Sequence, residues 1–231
     1  TLAGPAHMGT LMRSQSLLLA AFLSAATLSH ATAQEFTLRL HQFLPMTDSV
    51  PREGLIPWAK TIEEQSGGRI KVEYYPNMQL GGTPPTLFDQ AREGVADLIW
   101  TVLGYTPGRF PKSEVFEMPF MVTNAEATSR AFQRFVEENA MDEFADVKLI
   151  AVHTHGPGLF HTRTPINTLE DLEGMKVRGG SRVINAMLAD LGAEPIGMPV
   201  PEVPQSLVTG VIDGTTIPWQ VTLSLRTSEI V

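Results

Sequence analysis

The sequence predicts an α/β protein built on mostly parallel sheets, and three observations predict it. Short apolar strands alternate with amphipathic helical segments along the chain from residue 36 onward. Glycine and proline stand at the boundaries between these segments, where a strand must hand over to a helix. There are no cysteines, so the core must be large enough to hold without crosslinks.

The elements follow in order. In EFTLRLHQFLP (35–45), Phe36, Leu38 and Leu40 alternate with polar neighbours, which predicts a first strand. From Pro51 to Gln65, apolar residues at Leu55, Ile56, Trp58, Ala59 and Ile62 keep helical spacing, and Gly67-Gly68 ends that helix. RIKVEYYP (69–76) is a second strand closed by Pro76. Thr83-Pro84-Pro85 opens a helix to Glu93, since proline is tolerated in a first turn. GVADLIWTVLG (94–104) contains a buried third strand, and YTPGRFP (105–111) is a turn-rich loop. Ala125 to Phe144 reads as one long amphipathic helix, and VKLIAVHTHG (147–156) as a fourth strand. A second unit begins with a strand in GLFHTRTP (158–165) and a short capped turn in TLEDLEG (168–174). Met175-Lys176-Val177 is a strand that Arg178 ends, and Ser181–Leu191 is a helix. EPIGMP is a strand, Glu202–Thr209 a short helix, and VIDGTTIPW (211–219) a returning strand. Residues 156–165 are the hinge between a first unit, 34–156, and a second, 157–231.

The two ends differ from the rest. Arg13 precedes the apolar run Ser16–Leu28, and Ala31-Thr32-Ala33 supplies small residues at a cleavage-type site. This predicts a secretory signal peptide within 1–33, with residues 1–7 upstream of its start at Met8 or Met12. The run is too short to be a stable membrane span, and no later segment is longer. At the other end TLSLRTSEIV is apolar-periodic and stops without a cap, which predicts a chain that continues.

Charge narrows the partners. The chain carries 17 basic and 25 acidic side chains. Without Arg13, the one charged residue in 1–33, the balance is a unit more acidic. Such a surface repels nucleic acid and anionic lipid, and no basic run or basic–aromatic interleaving opposes that. An anionic ligand must therefore be held by local positive charge.

Arg178 offers it. A guanidinium followed by Gly179-Gly180-Ser181 puts a bidentate cation beside the N-terminus of a helix, a combination suited to a carboxylate. A surface ion pair with one of the many acids is the plainer alternative. Trp100 and Tyr105 flank the end of the third strand, where α/β proteins hold ligands, although Trp100 could equally be core. Arg109 reads as a loop surface residue. His153, His155 and His161 raise zinc, since i and i+2 share a strand face, yet no neighbouring carboxylate completes a familiar ligand set. Enzyme motifs such as G-x-S-x-G, H-E-x-x-H, a Walker loop and G-x-G-x-x-G are absent. Glu114, Glu117 and Asp213 mark no pair with split roles, and Asp213-Gly214 is a turn.

From Leu169 onward the chain resembles the extracytoplasmic solute-binding proteins of TRAP transporters, the DctP-type family. The family pattern L-x-D-L-x-G-x-K-x-R stands at Leu169–Arg178, L-G-A-x-P at Leu191–Pro195, E-V-x-x-(A/S)-L at Glu202–Leu207 and G-x-x-D-G at Gly210–Gly214. MQLGG, GVADLIW and EVFEMPF are similar to family motifs in the first half. The resemblance implies a two-lobed periplasmic-binding-protein fold with a ligand cleft between lobes, no cofactor, no resident metal and no enzyme activity. It implies a periplasmic receptor that closes on a small organic acid and delivers it to TRAP membrane permease subunits. It also makes Arg178 the carboxylate clamp, helped by backbone amides near Gly179. Trp100, Tyr105, Phe160 and Trp219 are then candidate walls, and Gln42, His155 and Thr216 candidate polar contacts. Family members run longer past the D-G strand.

Two departures bear on the ligand. Some branches place asparagine just before the proline after D-G, where Ile217 stands, and some carry a second arginine where this chain has HTHGPG. These departures and the aromatic residues point to a monocarboxylate, aromatic or a branched 2-oxo or hydroxy acid. Three other readings stay open: a zinc receptor using His153, His155 and His161; a secreted hydrolase using the histidines and Asp213; and a receptor that feeds a sensor rather than a permease.

Overall fold

The structure is a computed structural model that describes residues 1–2 and 34–231. The expected signal peptide lies outside the described residues.

Strand β1 (Phe36–His41) grades from exposed at Phe36 to fully buried at Leu40 and His41, so its end, rather than one face, enters the core. A π-helical turn at Val50–Leu55 runs into helix α1 (Ile56–Gln65), which Gly67 closes at φ 65°. Strand β2 (Ile70–Tyr75) pairs in parallel with β1. Thr83 and Thr86 form a capping box ahead of helix α2 (Leu87–Arg92). Strand β3 is only Leu98–Ile99, parallel to the end of β1, giving a sheet ordered β2-β1-β3.

Two expectations change in the next segment. Helix α3 spans Ala125–Asn139, with the Asn124 side chain accepting from Ala127 N at 3.0 Å. It stops at Ala140, a fully buried residue at φ −136°, and a separate 3₁₀ turn covers Met141–Phe144. The single helix to Phe144 is therefore two pieces. The expected fourth strand at 147–156 forms no ladder. Side chains of α3 take its backbone donors instead: Val152 N bonds Gln133 Oε1 at 2.8 Å and Thr154 N bonds Ser129 Oγ at 2.9 Å.

The second sheet has the order β4-β7-β5-β6. Strand β4 (Leu159–Thr162) lies antiparallel to β7, while the other pairs are parallel. Strand β5 (Lys176–Gly179) carries Arg178 inside it rather than past its end. Helix α4 (Arg182–Asp190) follows, with Ser181 Oγ accepting from Ile184 N at 3.3 Å. Strand β6 (Glu194–Gly197) and helix α5 (Val203–Thr209) lead to Gly210, left-handed at φ 73°. Strand β7 (Gly214–Ile217) and helix α6 (Trp219–Ser224) complete the unit. No helix of the described residues is long and apolar enough to cross a membrane.

One apolar cluster joins the sheets. Phe43 and Leu44, just beyond β1, pack with Leu87 and Tyr105 against Val200, Val203, Leu207, Ile212 and Ile217 of the second sheet's side. Each fully buried leucine there contributes about 1.5–3 kcal/mol by leaving water. Three polar contacts pin the same joint: Val200 N donates to the Tyr105 hydroxyl at 2.9 Å, the Ser224 hydroxyl donates to Asp48, and Arg182 pairs with Glu114.

Candidate ligand-binding site

Residues immediately beyond the carboxyl ends of β1, β6 and β7 share that cluster, so the ligand-holding ends of the two sheets meet at one place. Arg178 stands there, 4% exposed. Its Nε donates to Met198 O at 2.8 Å and its Nη1 to Thr216 O at 3.3 Å. The Thr216 hydroxyl returns a bond to Arg178 O at 3.1 Å. Gly180 lies flat against the guanidinium: a Cβ there would stand 3.1 Å from Nη2 and 3.3 Å from Cζ. No carboxylate of the described residues pairs with Arg178. Burial lowers its pKa, while Tyr105 and then Glu202 raise it.

Tyr105 is the bridge to the first sheet. Its ring packs on Phe43 at 5.5 Å, and Phe43 packs on Trp100 at 5.2 Å. Burial raises the Tyr105 hydroxyl's pKa, and the guanidinium of Arg178 opposes that rise. The half-buried Trp100 donates its indole N–H to His153 Nε2 at 2.8 Å, with the rings stacked. On the other side, Phe160 pairs in register with Thr216 and is 39% exposed. Trp219 is largely exposed and sets its indole against the His161 ring edge-on at 4.7 Å.

Several expectations need correction. Gln42 offers the site nothing: its amide is buried and closes its own turn, donating to Leu44 O at 2.7 Å and accepting from Leu44 N. The space above Gly179 is filled by the Asn185 amide, whose oxygen would clash with a Cβ, so packing accounts for the glycine at this position. The helix N-terminus at Ser181 already faces an acid, Glu117, whose carboxyl crowds Gly104 and Ser181 and whose pKa burial raises. The histidines do not converge. His153 serves Trp100, the His155 Nδ1 bonds Gly156 O at 2.6 Å, and the His161 Nε2 bonds Ile217 O at 3.1 Å. No group of three or more metal-ligating side chains occurs among the described residues. Asp213 accepts from Lys176 N at 2.9 Å, which gives it a strand-end role. Arg109 ties its loop to α2 through Asp89 at 2.9 Å.

Sequence reasoning missed other buried polar groups. Asn185 Oδ1, Thr215 Oγ1 and Tyr74 Oη are enclosed without a hydrogen-bond partner among the described residues. Only the glycines at 179 and 197, between which the Asn185 side chain fits, hinted at that one.

Residues 46–231 match the DctP family, described as bacterial extracellular solute-binding protein, family 7. A TRAP solute-binding protein from Rhodoferax ferrireducens T118, solved with copurified benzoate, is 49% identical with a TM-score of 0.82, covering 84% of this chain and 61% of that one. A marine-metagenome TRAP solute-binding protein specific for aromatic acid ligands, with bound metahydroxyphenylacetate, is also 49% identical, TM-score 0.83, covering 85% and 62%. A Bordetella bronchiseptica TRAP periplasmic solute-binding protein with bound (R)- and (S)-mandelate is 31% identical, TM-score 0.78, covering 84% and 62%. The chain spans between 49% and 66% of the length of the curated relatives it matches.

Proposed function

Since the chain belongs to the DctP family of bacterial extracellular solute-binding proteins, we propose that it is a TRAP-type periplasmic receptor for an aromatic monocarboxylate, which it delivers to a membrane permease. One observation carries the reading. Arg178 is a buried guanidinium that no carboxylate of the described residues neutralises. An unpaired buried charge costs several kcal/mol, and a ligand carboxylate offsets that through a two-pronged ion pair. Arg178 is also the one Lys or Arg that is buried among the described residues, which favours one carboxylate over two. Trp100, Phe160 and Trp219 supply aromatic surface for a ring, and the two neighbours at 49% identity carry benzoate and metahydroxyphenylacetate. Closure of the two sheets' ends around the acid would couple occupancy to permease recognition. Binding needs no chemistry, and nothing in the reading asks the site for any.

Isothermal titration with benzoate, phenylacetate, mandelate and succinate tests this. The reading expects the aromatic acids to bind and succinate not to. Binding of succinate alone would overturn the monocarboxylate class.

A further inference from the structure

His155 is the group that a carboxylate clamp leaves unexplained. Its Nδ1 stands 2.6 Å from Gly156 O. A carbonyl oxygen only accepts, so Nδ1 carries the proton, and Nε2 of the neutral ring is a bare lone pair. No hydrogen bond to that nitrogen forms among the described residues, and the side chain is open to solvent. Desolvation and then the positive charge of Arg178 lower the imidazole's pKa from its ordinary value, which favours the neutral ring. A Cβ on Gly156 would stand 3.6 Å from Gln220 Oε1 on α6, the helix that follows β7, the strand that carries Thr216.

The other two histidines of the cluster show no such edge. His153 spends Nε2 on the Trp100 indole, and His161 is buried with Nε2 donating to Ile217 O. His155 alone of the three thus pairs an accessible acceptor with nearness to the guanidinium.

We propose that His155 is a specificity-determining residue that accepts a hydrogen bond from a hydroxyl of the bound acid, so that the site prefers hydroxylated aromatic monocarboxylates to their deoxy counterparts. The proposal rests on Arg178 as the carboxylate clamp. The chemistry is complementary: a carboxylate oxygen meets only repulsion at a bare imidazole nitrogen and goes to Arg178, while a phenol or α-hydroxyl satisfies Nε2. A second carboxylate on the ligand would face the same lone pair, which works against dicarboxylates.

The test is a titration of two ligand pairs, 3-hydroxybenzoate with benzoate and mandelate with phenylacetate, against the native protein, His155→Phe and His155→Gln. The native protein should prefer the hydroxylated member of at least one pair by about tenfold, the worth of one well-made hydrogen bond in a closed site. The pair that shows the preference locates the hydroxyl on the ring or beside the carboxylate. His155→Phe should weaken the hydroxylated acid about tenfold more than its partner, and His155→Gln, whose amide oxygen can stand near the Nε2 position, should restore part of the difference. Equal losses for both members, or a hydroxyl preference that survives His155→Phe, would overturn the proposal while leaving the carboxylate clamp standing. Failure of the native protein to bind any of the four acids would sink the clamp reading and this proposal together.

Discussion

Arg39 stands two positions from the carboxyl end of β1 and Arg178 one position from that of β5, inner strands of the two sheets, and their surroundings are opposite. Arg39 is partly exposed and meets Asp97 through its backbone N at 2.8 Å, its Nε at 2.9 Å and its Nη2 at 3.4 Å, with Nη2 also on Gly94 O. That carboxylate raises the Arg39 pKa. Arg178 is buried, donates to two carbonyl oxygens, meets no carboxylate of the described residues in an ion pair, and has its pKa lowered by burial. The first arginine is complete within the fold. The second carries a charge whose counterpart none of the described residues provides. The difference teaches that a strand-end arginine is read by its partner: an acid in the fold makes it structural, and a missing acid makes it a place for a ligand's.

The largest effect that would sharpen this contrast is Arg178→Lys. Lysine keeps the charge and loses the fork, and a poorly paired buried carboxylate costs about 2–5 kcal/mol, or roughly thirty- to several-thousand-fold in affinity. Next comes Gly180→Ala, which drives a methyl group against the guanidinium. Overpacking of about 1–3 kcal/mol should appear as a five- to hundredfold affinity loss. An unchanged Kd would mean that the guanidinium is free to move aside.

A third effect separates the two regions by pH. His41, His153 and His155 all have folded pKa values below the ordinary 6.5, chiefly through desolvation. His41 donates from Nδ1 to Gln90 and accepts Leu80 N–H at Nε2, so a second proton breaks the latter contact. Their stability is complete above about 6.5 and drains as the pH falls toward the folded values, because the unfolded chain takes up protons first. Asp97, lowered below 3.8 chiefly by Arg39, loses its contribution only as the pH falls below about that value. Thermal melts from pH 8 to 5 should therefore show a falling midpoint, and a rising one would contradict these assignments. The smallest effect is Arg39→Met. An exposed pair of this kind contributes little to stability, and ligand affinity should not change.

Much of this fold could be read from residues. Alternation exposed β1, and Gly67 marked a helix end that is left-handed here. The segment 147–156 could not be read, because an extended chain held by Gln133 and Ser129 has the same apolar pattern as a paired strand. The break at Ala140 carries no glycine or proline to announce it. At the site, a charge between a strand and two glycines made Arg178 visible. Gln42 misled because a glutamine that closes its own turn looks identical, in sequence, to one that faces a ligand. Tyr105 was placed near the ligand by its position after β3, but its bond to Val200 spans 95 residues and leaves no local trace. The separate fates of the three histidines depend on which carbonyl or indole each ring meets, and spacing does not encode that.

The most direct measurement of the central claim is isothermal titration of benzoate into the native protein, Arg178→Lys and Arg39→Lys side by side. The account predicts binding to the native protein, near-native affinity in Arg39→Lys, and a loss of roughly thirtyfold or more in Arg178→Lys. Native affinity in Arg178→Lys would contradict it, because the buried guanidinium would then not be what holds the acid.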